Sequence, residues 1–348
     1  NGSDVLYHVY RVAEMDRSWS QGILLPTWAD GLYFGYGSPL WHFYAPLAYL
    51  ITSVLTRLFD LSALEALRWL LMGTYLLMGM GMYLFMKQRA GKLAGLIAAI
   101  VYLYSPYLIY TEPYARGTYP EMLAFALFPV VLWRFEILIH ELRGRAVLLA
   151  GLSLLLLILS HNLMALVLTA LLAGWILWHM VADMTVNLDD ALDRYLPVWG
   201  TLIAGVALSA FFWMPILLES ETVSLDNLTG VELLNYQNFF VQLGDLVAFM
   251  PLPDTGAING LENVYRFGVP QWVFALTGLL STVFFIGQAV RAGKRDDPLL
   301  RQGIFFALGA IVLIFLMTPA SGDVWAALRP LAFLQFPWRL LGVVALCF

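Results

Sequence analysis

Long apolar runs broken by short charged connectors follow one another through most of this sequence. They cover about 65–86, 93–110, 122–139, 146–160, 163–182, 197–218, 269–290 and 303–318, and a ninth opens at residue 340. Runs of roughly 20 apolar residues match the hydrocarbon core of a bilayer. Inside that core every backbone N–H and C=O must be bonded, which leaves helices or a closed barrel. A barrel is built from short alternating strands, and these runs are continuous instead. The pattern therefore predicts an all-α, polytopic transmembrane helix bundle of about nine spans. Hydrophobic residues make up 61% of the 348 and charged residues 12%, where soluble domains carry about 25% charge.

The connectors orient the bundle. Lys87–Lys92, Arg143–Arg145 and Arg291–Arg301 share one side if the spans alternate, and all three lysines, Lys87, Lys92 and Lys294, fall there. That side is cytoplasmic by the positive-inside rule. Its segments hold 11 basic and 8 acidic residues, although the whole chain is acidic, 19 to 24. Net charge −5 without a basic tract argues against nucleic acid as a partner.

One apolar stretch departs from the pattern. Tyr44–Phe59 is short, opens near Pro46, and is followed by charges from Arg57 to Arg68. Trp41, Tyr44 and Tyr49 suit a helix lying in the outer interface. Four segments follow: an external first loop with interfacial helices over 1–64, core spans over 65–218, an external loop over 219–268, and C-terminal spans over 269–348. Residues 183–196 read as a cytoplasmic amphipathic helix. The chain opens at Asn1 with no leading apolar run and stops nine residues into the last one, so it reads as part of a longer protein.

Several polar groups gather at the outer edges of the runs. Asp4 and His8 stand four apart and share a helix face with Arg11. They suit a carboxylate base with a hydrogen-bonding neighbour, or an N-terminal helix cap. The connector Thr111–Glu121 holds Glu112, Arg116 and Glu121. Its carboxylates suit a hard divalent cation such as Mg or Mn, and Arg116 suits a phosphate; a plain polar turn fits equally. Ser160-His161-Asn162 splits a long apolar stretch, as any turn between two spans requires. Arg339 sits beside Trp338 at the mouth of the last run, where arginine commonly snorkels or clamps a phosphate. Asn1-Gly2-Ser3 and Asn227-Leu228-Thr229 match a glycosylation sequon.

Other chemistries are excluded. Cys347 is the single cysteine, so disulfides and thiolate metal sites are ruled out. His8, His42, His140, His161 and His179 show no HExxH-type spacing for zinc. Gly35-Tyr36-Gly37 lacks the lysine and helix start of a phosphate loop.

In order, Asp4-Val-Leu-Tyr-His8, Trp28 through Gly35-Tyr-Gly37-Ser-Pro39, Phe43-Tyr-Ala-Pro46, Ser105-Pro106-Tyr107, Arg116-Gly117 with Glu121, Ser160-His161-Asn162 and Phe336-Pro-Trp-Arg339 resemble a bacterial polytopic membrane protein family. That family is labelled "6-pyruvoyl-tetrahydropterin synthase-related". More distantly the layout is similar to the GT-C glycosyltransferases. There an early Asp in the first external loop is catalytic, with interfacial helices and a second acidic residue following. The resemblance places Asp4 at the first position and Glu121 at the second, and implies a span before Asn1. Residues 111–121 hold no Asp-x-Asp pair, which leaves the metal set Asp4, Glu112 and Glu121 conditional.

The resemblance implies a membrane glycosyltransferase that moves a sugar from a polyprenyl phosphate to an acceptor at the extracytoplasmic face of the cell envelope. Asp4 and Glu121 would be catalytic, while His8, Arg116, His161 and Arg339 would bind substrate or phosphate. Membrane lipids and further membrane complex subunits are the expected partners. A non-catalytic subunit or scaffold of a membrane complex is the alternative. A transporter would want ionisable residues in mid-membrane, and the spans offer few.

Overall fold

A computed structural model of the chain describes residues 4–219, 235–247, 266–291 and 297–348. Described residues are helical or irregular, with one isolated bridge between Ala29 and Ser38 as the extended pairing. Most of the 219–268 segment, both sequons and Lys294 lie outside the described residues.

The chain forms two compact units: 1–81 with 112–223, and 82–111 with 224–348. In the first, α1 (Val5–Ser20) is followed by α2 (Leu40–Phe43), α3 (Leu47–Phe59) and the start of α4 (Ala63–Leu103). Then come α5 (Tyr119–His140), α6 (Gly144–Ser160), α7 (Asn162–Met184), α8 (Leu188–Leu208) and α9 (Ala210–Leu218). Pro120 at the first turn of α5 has no N–H to lose and starts the helix at low cost. α5 packs chiefly on α6, α6 on α8, and α3 on α1, α5 and α6.

The 13 residues of α3 reach about 20 Å, short of a roughly 30 Å hydrocarbon core, so α3 is too short to span it. Between α1 and α2 the chain turns sharply. Gly37 has φ +78°, and a Cβ there would meet the Trp28 indole Nε1 at 2.0 Å, so only glycine fits.

Five described helical stretches are long and apolar enough to cross a membrane: 63–116, 119–140, 162–184, 269–288 and 298–316. The pair α8 and α9, bent by 66° at its break, makes a sixth. This differs from nine for three physical reasons. Gly91 (φ +87°) interrupts α4, and the backbone then folds back so that a Cβ at Gly95 would lie 2.8 Å from the Tyr83 carbonyl. One stretch thus contains two of the expected runs, its turn carrying Lys87, Arg89 and Lys92. The α6 helix, at 17 residues, is shorter than those six, and the run from residue 340 gives only the 7-residue helix Leu341–Cys347.

Two expectations are corrected. The separate amphipathic helix over 183–196 is absent: α7 runs to Met184, and α8 continues from Leu188 through Pro197. Its N-cap Asn187 accepts from the Asp189 and Asp190 N–H groups, which starts the helix early. The single run 197–218 is broken at Ser209.

The second unit holds Val269–Arg291, Pro298–Leu316 and a short helix Leu341–Cys347, with 298–316 packed on both others.

Candidate functional site

The first unit brings together residues from four parts of the sequence. The Asp4 N–H donates to the Arg116 carbonyl at 2.8 Å, joining the start of α1 to the connector before α5. The Asp4 side chain makes no N-cap bond, so the capping role is not the one realised. The π-helical stretch Tyr107–Arg116 ends here, and Glu121 lies in the first turn of α5. His161 lies at the junction of α6 and α7, the same end of that antiparallel pair. The basic residues Arg143 and Arg145 belong to the opposite end.

Arg116 is the hub. Its Nη1 contacts the Glu121 carboxylate at 3.0 Å and also pairs with Glu112, whose other oxygen accepts from the Thr118 hydroxyl. Both glutamates are fully buried and Arg116 is 6% exposed. Two carboxylates this close and this dry repel one another unless a cation intervenes, and the guanidinium is that cation.

His161 lies 3.9 Å from Glu121 through Nε2. Its Nδ1 accepts the Met164 N–H at 3.1 Å, so a neutral His161 carries its proton on Nε2, facing Glu121. The neighbouring Asn162 accepts from the Ala45 N–H at 3.0 Å and donates to the Phe43 carbonyl at 2.8 Å. It fastens the segment before α3 to the start of α7. Asn162→Ala should lower stability by about 1–3 kcal/mol, since two backbone groups lose their partner. Asn162→Asp keeps the acceptor and should fall between the two in thermal unfolding.

His8 is buried against this cluster. Its Nδ1 lies 2.7 Å from the Tyr49 hydroxyl, and its ring meets Tyr119 edge-on at 5.6 Å. Burial first, then Arg11 and His161 nearby, lower its pKa to about 3, so it is neutral at physiological pH.

The structure therefore joins Asp4, His8, Glu112, Arg116, Glu121 and His161 through shared neighbours. Among the described residues no three His, Cys, Asp or Glu groups assemble as metal ligands. Arg116 stands between Glu112 and Glu121 where a divalent ion would need open oxygens, and the arrangement does not fit one. Arg339 lies in the second unit. There its Nη1 donates to the Leu334 carbonyl at 3.1 Å and its guanidinium lies over Phe336 at 5.1 Å. Tyr49, Thr118 and Asn162 are the polar participants that sequence reasoning missed. Tyr49 reads as an interfacial anchor, and no local signal marks its hydroxyl.

A family described as "6-pyruvoyl-tetrahydropterin synthase related domain; membrane protein" matches residues 41–348. No curated protein matches the sequence. Among solved structures, the fold is similar to the archaeal oligosaccharyltransferase AglB from Archaeoglobus fulgidus in complex with an inhibitory peptide and a dolichol-phosphate. The likeness has a TM-score of 0.51 at 17% identity and covers 99% of this chain but 45% of that one.

Proposed function

The chain belongs to the 6-pyruvoyl-tetrahydropterin synthase-related family of membrane proteins, and from that premise we propose that it is a GT-C-like glycosyltransferase. The donor is a sugar on a polyprenyl phosphate, and the acceptor is met at the extracytoplasmic face. One observation carries the reading: Asp4 and Glu121, far apart in sequence, share Arg116 as a neighbour at one end of the α5–α6–α7 bundle. The fold likeness to AglB supports the same reading without specifying it.

In this reading the acceptor hydroxyl attacks the anomeric carbon of the donor. Its proton passes to the Asp4 carboxylate. The bond from the anomeric carbon to the phosphate oxygen breaks, and the departing polyprenyl phosphate takes the electron pair. Arg116 is our candidate for the positive charge facing that phosphate, where preorganised charge counts most. Glu112 and Glu121 hold the guanidinium in place. His8 offers a neutral N–H donor and His161 an Nε2–H donor to sugar or phosphate oxygens. No step needs a divalent ion.

The test is transfer of labelled sugar from a polyprenyl-phosphate donor by the protein in vesicles. Transfer that the Asp4→Asn variant lacks supports an enzyme. Function retained by that variant in cells points to a scaffold or subunit of a membrane complex.

Sidedness has its own test, in a chain lacking Cys347. An impermeant maleimide on intact cells should label Phe34→Cys and not Leu142→Cys. Phe34 is fully exposed in the segment between α1 and α2, and Leu142 lies between α5 and α6 at the end away from Glu121. The reverse pattern overturns the orientation.

A further inference from the structure

His8 is held by a chain of polar contacts that the proposed chemistry does not itself require. The Arg11 Nη1 donates to the Tyr49 hydroxyl at 3.3 Å, and that hydroxyl lies 2.7 Å from His8 Nδ1. Tyr49 is wholly buried and His8 is 1% exposed. Arg11 also lies over the Tyr44 ring at 3.8 Å, which fixes the guanidinium from its other side.

The partners of the two ring nitrogens together select one arrangement. Arginine has donors alone, so Tyr49 accepts from Arg11 and turns its own proton to His8 or to Tyr44, its other hydroxyl neighbour. A neutral imidazole with Nδ1 as acceptor takes that proton at 2.7 Å and keeps its own on Nε2. The His8 ring also faces the Gly117 backbone carbonyl, which is an acceptor alone and agrees with an N–H there. Nε2 is buried and makes no hydrogen bond of good geometry. The Gly117 carbonyl is therefore a weak partner for it, and a ligand oxygen that comes beside Gly117 is the better acceptor.

We propose that Tyr49 and Arg11 are positioning residues that lock His8 as a neutral, Nε2-protonated donor, and that Nε2–H binds an oxygen of the sugar phosphate. The second half rests on the glycosyl-transfer reading, and the first half does not. The titratable and charged groups around His8 are Arg11 on its own helix, Tyr44 and Tyr49 from the α3 side, Tyr119 on α5, and His161. Burial first, then Arg11 and His161, disfavour an imidazolium at His8, and a ring held this way does not titrate in the physiological range. The unfolded chain takes up its proton near pH 6.5 and the folded chain near 3. Between those values acid therefore favours unfolding.

The experiment uses the full chain, with nitrogen-labelled histidine, in nanodiscs. His8 is assigned by the signal lost in His8→Gln. Its nitrogens should report the Nε2-protonated neutral form from pH 8 to pH 5. In Tyr49→Phe the same signals should show mixed tautomers or titrate within that range, and Arg11→Gln should shift them in the same direction. Sugar transfer by Tyr49→Phe should fall about tenfold to a hundredfold, in line with loss of a group that orients a histidine. The loss should appear mainly in kcat, with a new acid limb in the pH profile. A wild-type His8 protonated on Nδ1, or titrating near pH 6.5, overturns the lock whatever the variants do. Nitrogen signals as expected with no transfer by wild type would leave the lock standing and remove the glycosyl-transfer reading instead.

Discussion

Asp4→Asn is expected to lower sugar transfer by about 10²–10⁴-fold, the range for losing a positioned base, while the protein stays folded. The backbone at this position does structural work, since its N–H bonds the Arg116 carbonyl at 2.8 Å. The side chain does not cap α1, so the isosteric amide removes no cap bond. Thermal unfolding of the variant in detergent should match the wild type within error. A protein that unfolds early would make Asp4 structural, and one that keeps its transfer rate would remove it from the chemistry.

Arg116→Met should produce the largest loss of stability, about 3–5 kcal/mol, the scale for breaking a buried pair and stranding its partner charges. Here two partners are stranded, because the same Nη1 serves Glu112 and Glu121. Adding Glu112→Gln and Glu121→Gln to Arg116→Met should recover much of the loss, since neutral amides do not repel. Thermal midpoints of the single and triple variants decide this. A single variant as stable as wild type would mean that Arg116 does not hold the two glutamates together.

Much of the fold is legible in the sequence because membrane spans are a statement about continuous apolar length. The basic turn at Gly91 and the short α3 are visible for that reason. The break at Ser209 is not, because the residues around it are as apolar as those on either side. Part of the site is equally legible: Asp4 and His8 share a helix face, and Glu112, Arg116 and Glu121 lie within ten residues of one another. What joins them is not. The Asp4–Arg116 bond, the Tyr49–His8 pair and the Asn162 clamp link residues separated by 41 to 119 positions, and local spacing carries no trace of them. Ser160-His161-Asn162 shows the difference most clearly. As sequence it is a turn between two spans, while in the fold His161 faces Glu121 and Asn162 fastens the approach to α3.

The burial of α5 has a consequence for how the protein senses its surroundings. Of its most apolar 18-residue window, 78% is buried, against 39% for α7. Bilayers of different thickness act on helices through the surface those helices show to lipid, by tilt and mismatch. α5 shows little. Glu121 therefore rides on a helix less coupled to membrane thickness than α7 is.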